Sequence, residues 1–223
     1  MENQDLMNET NQSAQAVLTR DEVKGFFKNN LPQILKRYFT EPVTGTYNLF
    51  LNADGKAYQH SLILIITTGL LYIIVPYLLL GDMRSYVPFS QIMWVGIGAS
   101  LYLLVISALS FGIKSITGKP DFKRELLTGG MCGIPVSAML LVMILAKIFI
   151  GSDPMNFMTD YASMLDNLKL LFLFVLYIFL LLINTMFQSL RASGTKETLA
   201  WYASPIAIGL TGYITAKIVA AFV

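Results

Sequence analysis

Two residues of this chain are the sole members of types that ligate metals or act as nucleophiles: His60 and Cys132. They stand far apart, and a structural zinc site needs about four such ligands. A single cysteine also excludes an intrachain disulfide. Nucleophile-elbow, phosphate-loop and paired metal-ligand patterns are missing. The nearest thing to a glycine motif is Gly129-Gly130-Met131-Cys132-Gly133, which contains GxxxG. In an apolar helix such residues let two backbones approach closely. Gly129, Gly133 and the following Pro135 are therefore read as helix-packing residues. No aspartate or glutamate stands at the centre of any long apolar stretch, where proton-coupled transporters and intramembrane proteases build their sites. The residues point away from catalysis and call for no cofactor and no metal. A pair of titratable groups converging in the membrane would reopen the enzyme reading.

The elements that carry these residues are set by composition. The chain is 55% hydrophobic with a mean hydropathy of +0.59, and 13% of its residues are charged. That is about half the roughly one quarter usual in soluble domains. A soluble fold of this size could not hide so much apolar surface, whereas a bilayer supplies an apolar solvent for it. The net charge of +2 is small and the bases are not gathered into one run, which excludes nucleic acid as a partner.

Five apolar stretches follow residue 60, at about 61–80, 91–113, 126–150, 170–187 and 201–223. Twenty helical residues span roughly 30 Å, the thickness of the hydrocarbon core. The expected fold class is all-α: a polytopic membrane protein with five transmembrane helices over 61–223 and an amphipathic helical segment over 18–60. Residues 1–17 are polar, carry no base, and read as a disordered tail rather than a cleaved signal peptide. Arg84 is the only base between the first two stretches. Lys114, Lys119, Lys123 and Arg124 fall between the second and third, and Arg191 and Lys196 between the fourth and fifth. Asp153, Asp160 and Asp166 lie between the third and fourth, with Lys169 at the far edge. By the positive-inside rule, this alternation places the N-terminus in the cytoplasm and the C-terminus outside. Lys147 and Lys217 near the outer ends are expected to snorkel to the interface. Pro76, Pro135 and Pro205 sit inside stretches and are expected to kink them.

Before the first stretch, Thr19 and Glu22 have capping-box spacing, and Leu18 and Val23 fit a hydrophobic staple. Val23, Phe26, Phe27, Leu31, Ile34, Leu35, Tyr38 and Phe39 then recur on one helical face. Pro32 should kink or split the helix near Asn29-Asn30. A second short helix is expected to start at Thr40-Glu41-Pro42 and to end in the turn Asn52-Ala53-Asp54-Gly55. Val23, Phe26, Phe27, Ile34, Leu35 and Tyr38 are the candidate contact face. They either pack on the bundle, or lie in the membrane surface or against a protein partner. Asn184 and Gln188 are expected to hydrogen-bond between helices.

Three short patterns carry a resemblance. Thr40-Glu41-Pro42-Val43-Thr44-Gly45-Thr46-Tyr47 precedes the first stretch. Gly118-Lys119-Pro120-Asp121-Phe122-Lys123-Arg124-Glu125-Leu126-Leu127 precedes the third, with Gly133-Ile134-Pro135 inside it. Gly194-Thr195-Lys196-Glu197-Thr198-Leu199-Ala200 leads into the fifth. In layout and in these patterns the chain resembles the Yip1 domain family of five-span integral membrane proteins over roughly residues 31–223. It lacks the fuller Asp-Leu-Tyr-Gly-Pro-like signature of the eukaryotic branch. The resemblance therefore implies a prokaryotic-type member, in the inner membrane of the cell, without catalytic residues. It implies a membrane scaffold or adaptor. The expected partners are the bilayer, a protein at the cytoplasmic segment and further copies of the chain. The alternative is a small transporter or channel along the proline-kinked helices. A water-filled cavity lined by Thr67, Thr68, Ser137 or Thr211 would favour that alternative.

Overall fold

The structure is a computed structural model that describes residues 19–53, 57–118, 120–150 and 161–221. Among them there are helices and no strands. The polar tail, Leu18, Asp54, Gly55, Lys119, Asp153 and Asp160 lie outside the described residues. Three short helices come first: α1 (Arg20–Gly25), α2 (Leu31–Thr40) and α3 (Thr44–Leu51). Five long ones follow: α4 (Ala57–Leu79), α5 (Phe89–Thr117), α6 (Phe122–Ile150), α7 (Tyr161–Ala192) and α8 (Glu197–Ala220). All five are long and apolar enough to cross a membrane, which makes this a multi-pass membrane protein. The helices outrun the apolar stretches, because polar residues at their ends continue the helix once neighbours satisfy them. The link between the second and third spans thus shrinks to 118–121, and Lys114 and Glu125 become helical rather than loop residues.

Helix α6 packs against α4, α5 and α7, whereas α8 packs chiefly against α5 and α7. The buried share of the span is accordingly 67% in α6 and 22% in α8. Large apolar side chains such as Ile66, Phe172, Ile206 and Tyr213 face outward, as expected where lipid is the solvent. Pro76, Pro135 and Pro205 all lie within helices.

Small residues set the closest approaches. A Cβ on Gly129 would overlap the Leu103 carbonyl oxygen and Ser107 Oγ of α5. One on Gly130 would come within 2.8 Å of Ser61 Cα in α4, and one on Gly133 within 2.8 Å of Thr68 Oγ1. Gly69 and Gly96 make a second such contact between α4 and α5, in which an added Cβ on Gly96 would lie 2.7 Å from the Gly69 carbonyl. Pro135 follows in the same helix, between the buried Ile134 and Val136.

The N-terminal helices form a cap on one end of the bundle. Thr19 and Glu22 make the expected capping box, with Thr19 N–H donating to Glu22 Oε2 (3.0 Å) and Glu22 N–H to Thr19 Oγ1 (3.3 Å). Pro32 does not break the chain's path. A π-helical turn over Phe26–Asn30 absorbs its missing donor, and the Leu31 N–H bonds the Phe26 carbonyl. Helix α3 starts at Thr44, later than Thr40-Glu41-Pro42, since Thr40 ends α2 and Glu41, Pro42 and Val43 make the turn between α2 and α3. Gly45 allows that turn, because a Cβ there would lie 2.6 Å from the Arg37 carbonyl oxygen.

Candidate functional site

The cap is fixed by the apolar face of α1–α2. Phe26 and Tyr38 are fully buried, Phe26 with Ile63 and Leu64 of α4, and Tyr38 with Leu127, Met131 and Ile134 of α6. Val23, Ile34 and Leu35 pack at the edges of the same clusters, while Phe27 stays exposed. Of the readings open for this face, packing on the bundle is the one these side chains adopt. Burial pushes the Tyr38 phenol above its usual range, so it stays protonated. Its oxygen lies 2.6 Å from Thr185 Oγ1 of α7. Asn184 Nδ2 donates to the Pro42 carbonyl (2.6 Å), tying α7 to the turn before α3. Gln188 bonds within its own helix, to Asn184 Oδ1 (3.2 Å), rather than between helices. Gln188 Oε1 and Thr46 Oγ1 are buried without a hydrogen-bond partner among the described residues.

Beside the cap lies the strongest polar cluster among the described residues. Ser107, Ser110 and Lys114 share one face of α5, at helical spacings of three and four. Glu125 and Thr128 share a face of α6, and Ser189 comes from α7. Lys114 Nζ is 2.6 Å from Glu125 Oε2 and donates to Ser189 Oγ at 2.9 Å. Ser110 Oγ donates to the same carboxylate oxygen at 2.8 Å, and Thr128 and Ser189 hydroxyls lie 2.5 Å apart. Lys114 is 7% exposed and Glu125 4%, so the pair is held away from water. Each charge also sits at the helix end that suits it. Glu125 is in the first turn of α6 and Lys114 in the last turn of α5, where the helix dipoles favour an anion and a cation respectively.

Above this pair opens a cavity of about 360 Å³. Asp121, Arg124 and Ser193 line it with polar groups, and Phe50, Leu127 and Ala192 with apolar ones. Asp121 heads α6, accepting the Lys123 N–H on Oδ1 at 3.1 Å. The α7–α8 side is shaped by Gly194, whose φ of +81° lets Thr195 N–H reach the Leu190 carbonyl (3.2 Å) and Gly194 N–H the Arg191 carbonyl (3.0 Å). That is a Schellman turn, which a side chain at Gly194 would strain.

The sequence counted Lys114 and Glu125 as loop residues and missed them as a pair. The available signal was the polar face Ser107/Ser110/Lys114 and its counterpart Glu125/Thr128. The GxxxG face lies beside this pair; the atoms nearest to an added Cβ at Gly129 and Gly133 belong to Leu103, Ser107, Thr68 and Leu64. Among the described residues no cluster of three or more His, Cys, Asp or Glu could hold a metal. Cys132 is fully buried. His60 stacks on Phe26 at 4.9 Å between ring centroids and has Nε2 3.1 Å from Asn30 Nδ2. Lys147 reaches the Leu79 carbonyl, and Lys217 lies 5.8 Å from the Tyr213 ring centre.

Fold and site together define an all-α, five-span membrane protein with a docked helical cap and a buried Lys–Glu pair at the capped end. Comparison with protein-family models yields no match, and the same holds for comparison with curated proteins and with solved structures.

Proposed function

We propose that this chain is a Yip1-type membrane scaffold or adaptor of the prokaryotic inner membrane, without catalytic activity. In this reading the capped end faces the cytoplasm, the C-terminus lies outside, and a protein partner contacts the cap. The observation that carries it is the docking of α1–α3 onto the bundle. Phe26 and Tyr38 are consumed in that contact, and Tyr38–Thr185 and Asn184–Pro42 fix its register. A cap held at several points presents one constant surface, which limits the ordering entropy that a partner must offset. Its outer face offers the exposed Lys24, Lys28, Lys36 and Arg37 beside exposed Phe27 and Phe39. That combination suits an acidic protein surface with an apolar patch.

A photoreactive residue replacing Phe39 in native membranes should give discrete protein adducts that disappear with Lys36→Glu and Arg37→Glu. The same residue at Phe172, on the lipid-facing side, should give none. Lipid adducts alone at both positions would sink the adaptor reading. For orientation, a reporter active only outside the cytoplasm should work after Val223 and fail near Lys196; activity at Lys196 reverses the assignment.

The second reading, a small transporter or channel, draws on the Lys114–Glu125 pair beneath its cavity, because intramembrane charges are costly and often functional. Against it, Thr68 bonds Ser137 (3.1 Å), and Thr211 bonds Ala207 of its own helix (2.7 Å). The spans that carry Thr68 and Thr211 make little direct contact, α4 packing on α5 and α6 and α8 on α5 and α7. Solute flux into proteoliposomes that stops with Glu125→Gln would establish the transporter instead.

A further inference from the structure

The cavity over the ion pair is lined by two cations, Lys114 and Arg124, and two carboxylates, Asp121 and Glu125. Their formal charges sum to zero, so a simple anion entering the cavity meets two carboxylates and a simple cation meets two bases. A guest carrying both signs meets neither penalty. Arg124 offers a planar guanidinium fork, the geometry that matches a phosphate. Asp121 and the Ser193 hydroxyl offer acceptors to an ammonium. Phe50 and Leu127 offer apolar wall to the carbons between them. The volume of about 360 Å³ falls within the roughly 300–1,000 Å³ of small-molecule sites.

Position indicates where the guest comes from. Gly118, Pro120 and Asp121, which bound the cavity, are flanked by Ile116, 77% exposed, and Phe122, 46% exposed. Two outward apolar side chains at a helix–helix turn of a five-span bundle set that turn at the level of lipid. Trp201 and Tyr202, exposed near the start of α8, mark the same end with interfacial aromatics.

We propose that this cavity binds a zwitterion pairing a phosphodiester with a primary ammonium, the headgroup chemistry of phosphatidylethanolamine. The phosphate lies against Arg124 and the ammonium against Asp121 and Ser193, with the Lys114–Glu125 pair as a neutral polar floor. A choline headgroup fits worse, since its quaternary ammonium has no N–H to donate. A glycerol headgroup fits worse because it brings no cation to Asp121. The site stands independently of the scaffold reading.

The test uses the full chain in nanodiscs holding equal parts of phosphatidylethanolamine, phosphatidylcholine and phosphatidylglycerol, followed by native mass spectrometry of retained lipid. Phosphatidylethanolamine should be retained over the other two by about tenfold, the effect of one well-placed charged hydrogen bond. Arg124→Gln and Asp121→Asn should each remove the preference. Asn still caps a helix, so Asp121→Asn drops the charge while keeping the cap. Lys123→Gln, one residue away and outside the cavity, should keep the preference, and melting of every variant checks its fold. Equal retention of the three lipids, preference for phosphatidylglycerol, or a preference that survives Asp121→Asn/Arg124→Gln overturns the proposal. Soluble glycerophosphoethanolamine then identifies the source. Displacement of the bound lipid supports the proposal with the headgroup alone sufficient. No displacement, with phosphatidylethanolamine still retained, supports it with the anchored lipid as the ligand.

Discussion

Helices α6 and α8 look alike as sequence and behave differently as structure. Each opens with a glutamate in its first turn, carries a proline and small residues within, and ends with a lysine in its last turn. In α6 the glutamate is buried on Lys114, and Gly129, Gly130 and Gly133 are points of backbone contact. In α8 Glu197 is exposed, and Gly209 and Gly212 have nothing within reach of an added Cβ. The difference comes from neighbours. Helix α6 has three spans and the cap around it, whereas α8 lies along the edge of the bundle. A small residue in a membrane helix is a contact only where another helix comes to meet it.

The sharpest way to break this comparison is at the glutamates. Glu125→Ala leaves Lys114 buried without its counter-charge and should cost about 3–5 kcal/mol. Glu197→Ala should leave unfolding of the detergent-solubilised protein nearly unchanged. Replacing both ions together, Lys114→Met with Glu125→Leu, should recover most of the loss, since apolar side chains need no partner there. Equal losses from the two alanine variants would mean that the pair is not shielded as the geometry implies.

The glycines come next. Gly129→Leu forces α6 away from the Leu103 carbonyl of α5 and should cost about 3 kcal/mol, at the upper end of overpacking effects. The melting temperature should drop clearly. An unchanged value would place Gly129 against lipid.

The cap supplies a smaller difference, because Tyr38 packs on α6 and bonds α7 while α8 has no share in that cluster. Tyr38→Phe keeps the packing and removes one hydrogen bond, which should cost about 1 kcal/mol. Protease sensitivity of the cap should rise modestly, with the five spans unaffected. Resistance equal to wild type would assign the docking to apolar contact alone.

The smallest effect has the opposite sign. Gly209→Ala meets open space and removes a flexible residue from a helix interior, so it should stabilise by roughly 0.5–1 kcal/mol. Destabilisation would show that a second copy of the chain or another partner seats on α8.

Composition and apolar run length already dictated the solvent of this chain. Five runs of apolar residues need an apolar surrounding, and that follows from transfer free energy whatever the arrangement. Sequence also determined the capping box at Thr19 and Glu22, because that depends on local spacing. It offered Gly129 and Gly133 as small residues, and the helices around α6 made them contacts. Tertiary structure alone decided where the polar residues went. Lys114 and Glu125 read as solvated loop residues, since nothing local tells a helix to continue past its apolar run. They became a buried pair when α5, α6 and α7 converged and Ser110, Thr128 and Ser189 supplied the hydrogen bonds that water would otherwise make. The same holds for Phe26 and Tyr38. A helix with one apolar face must cover it, but periodicity is indifferent to the cover, and only the presence of α4, α6 and α7 beneath the cap selected the bundle.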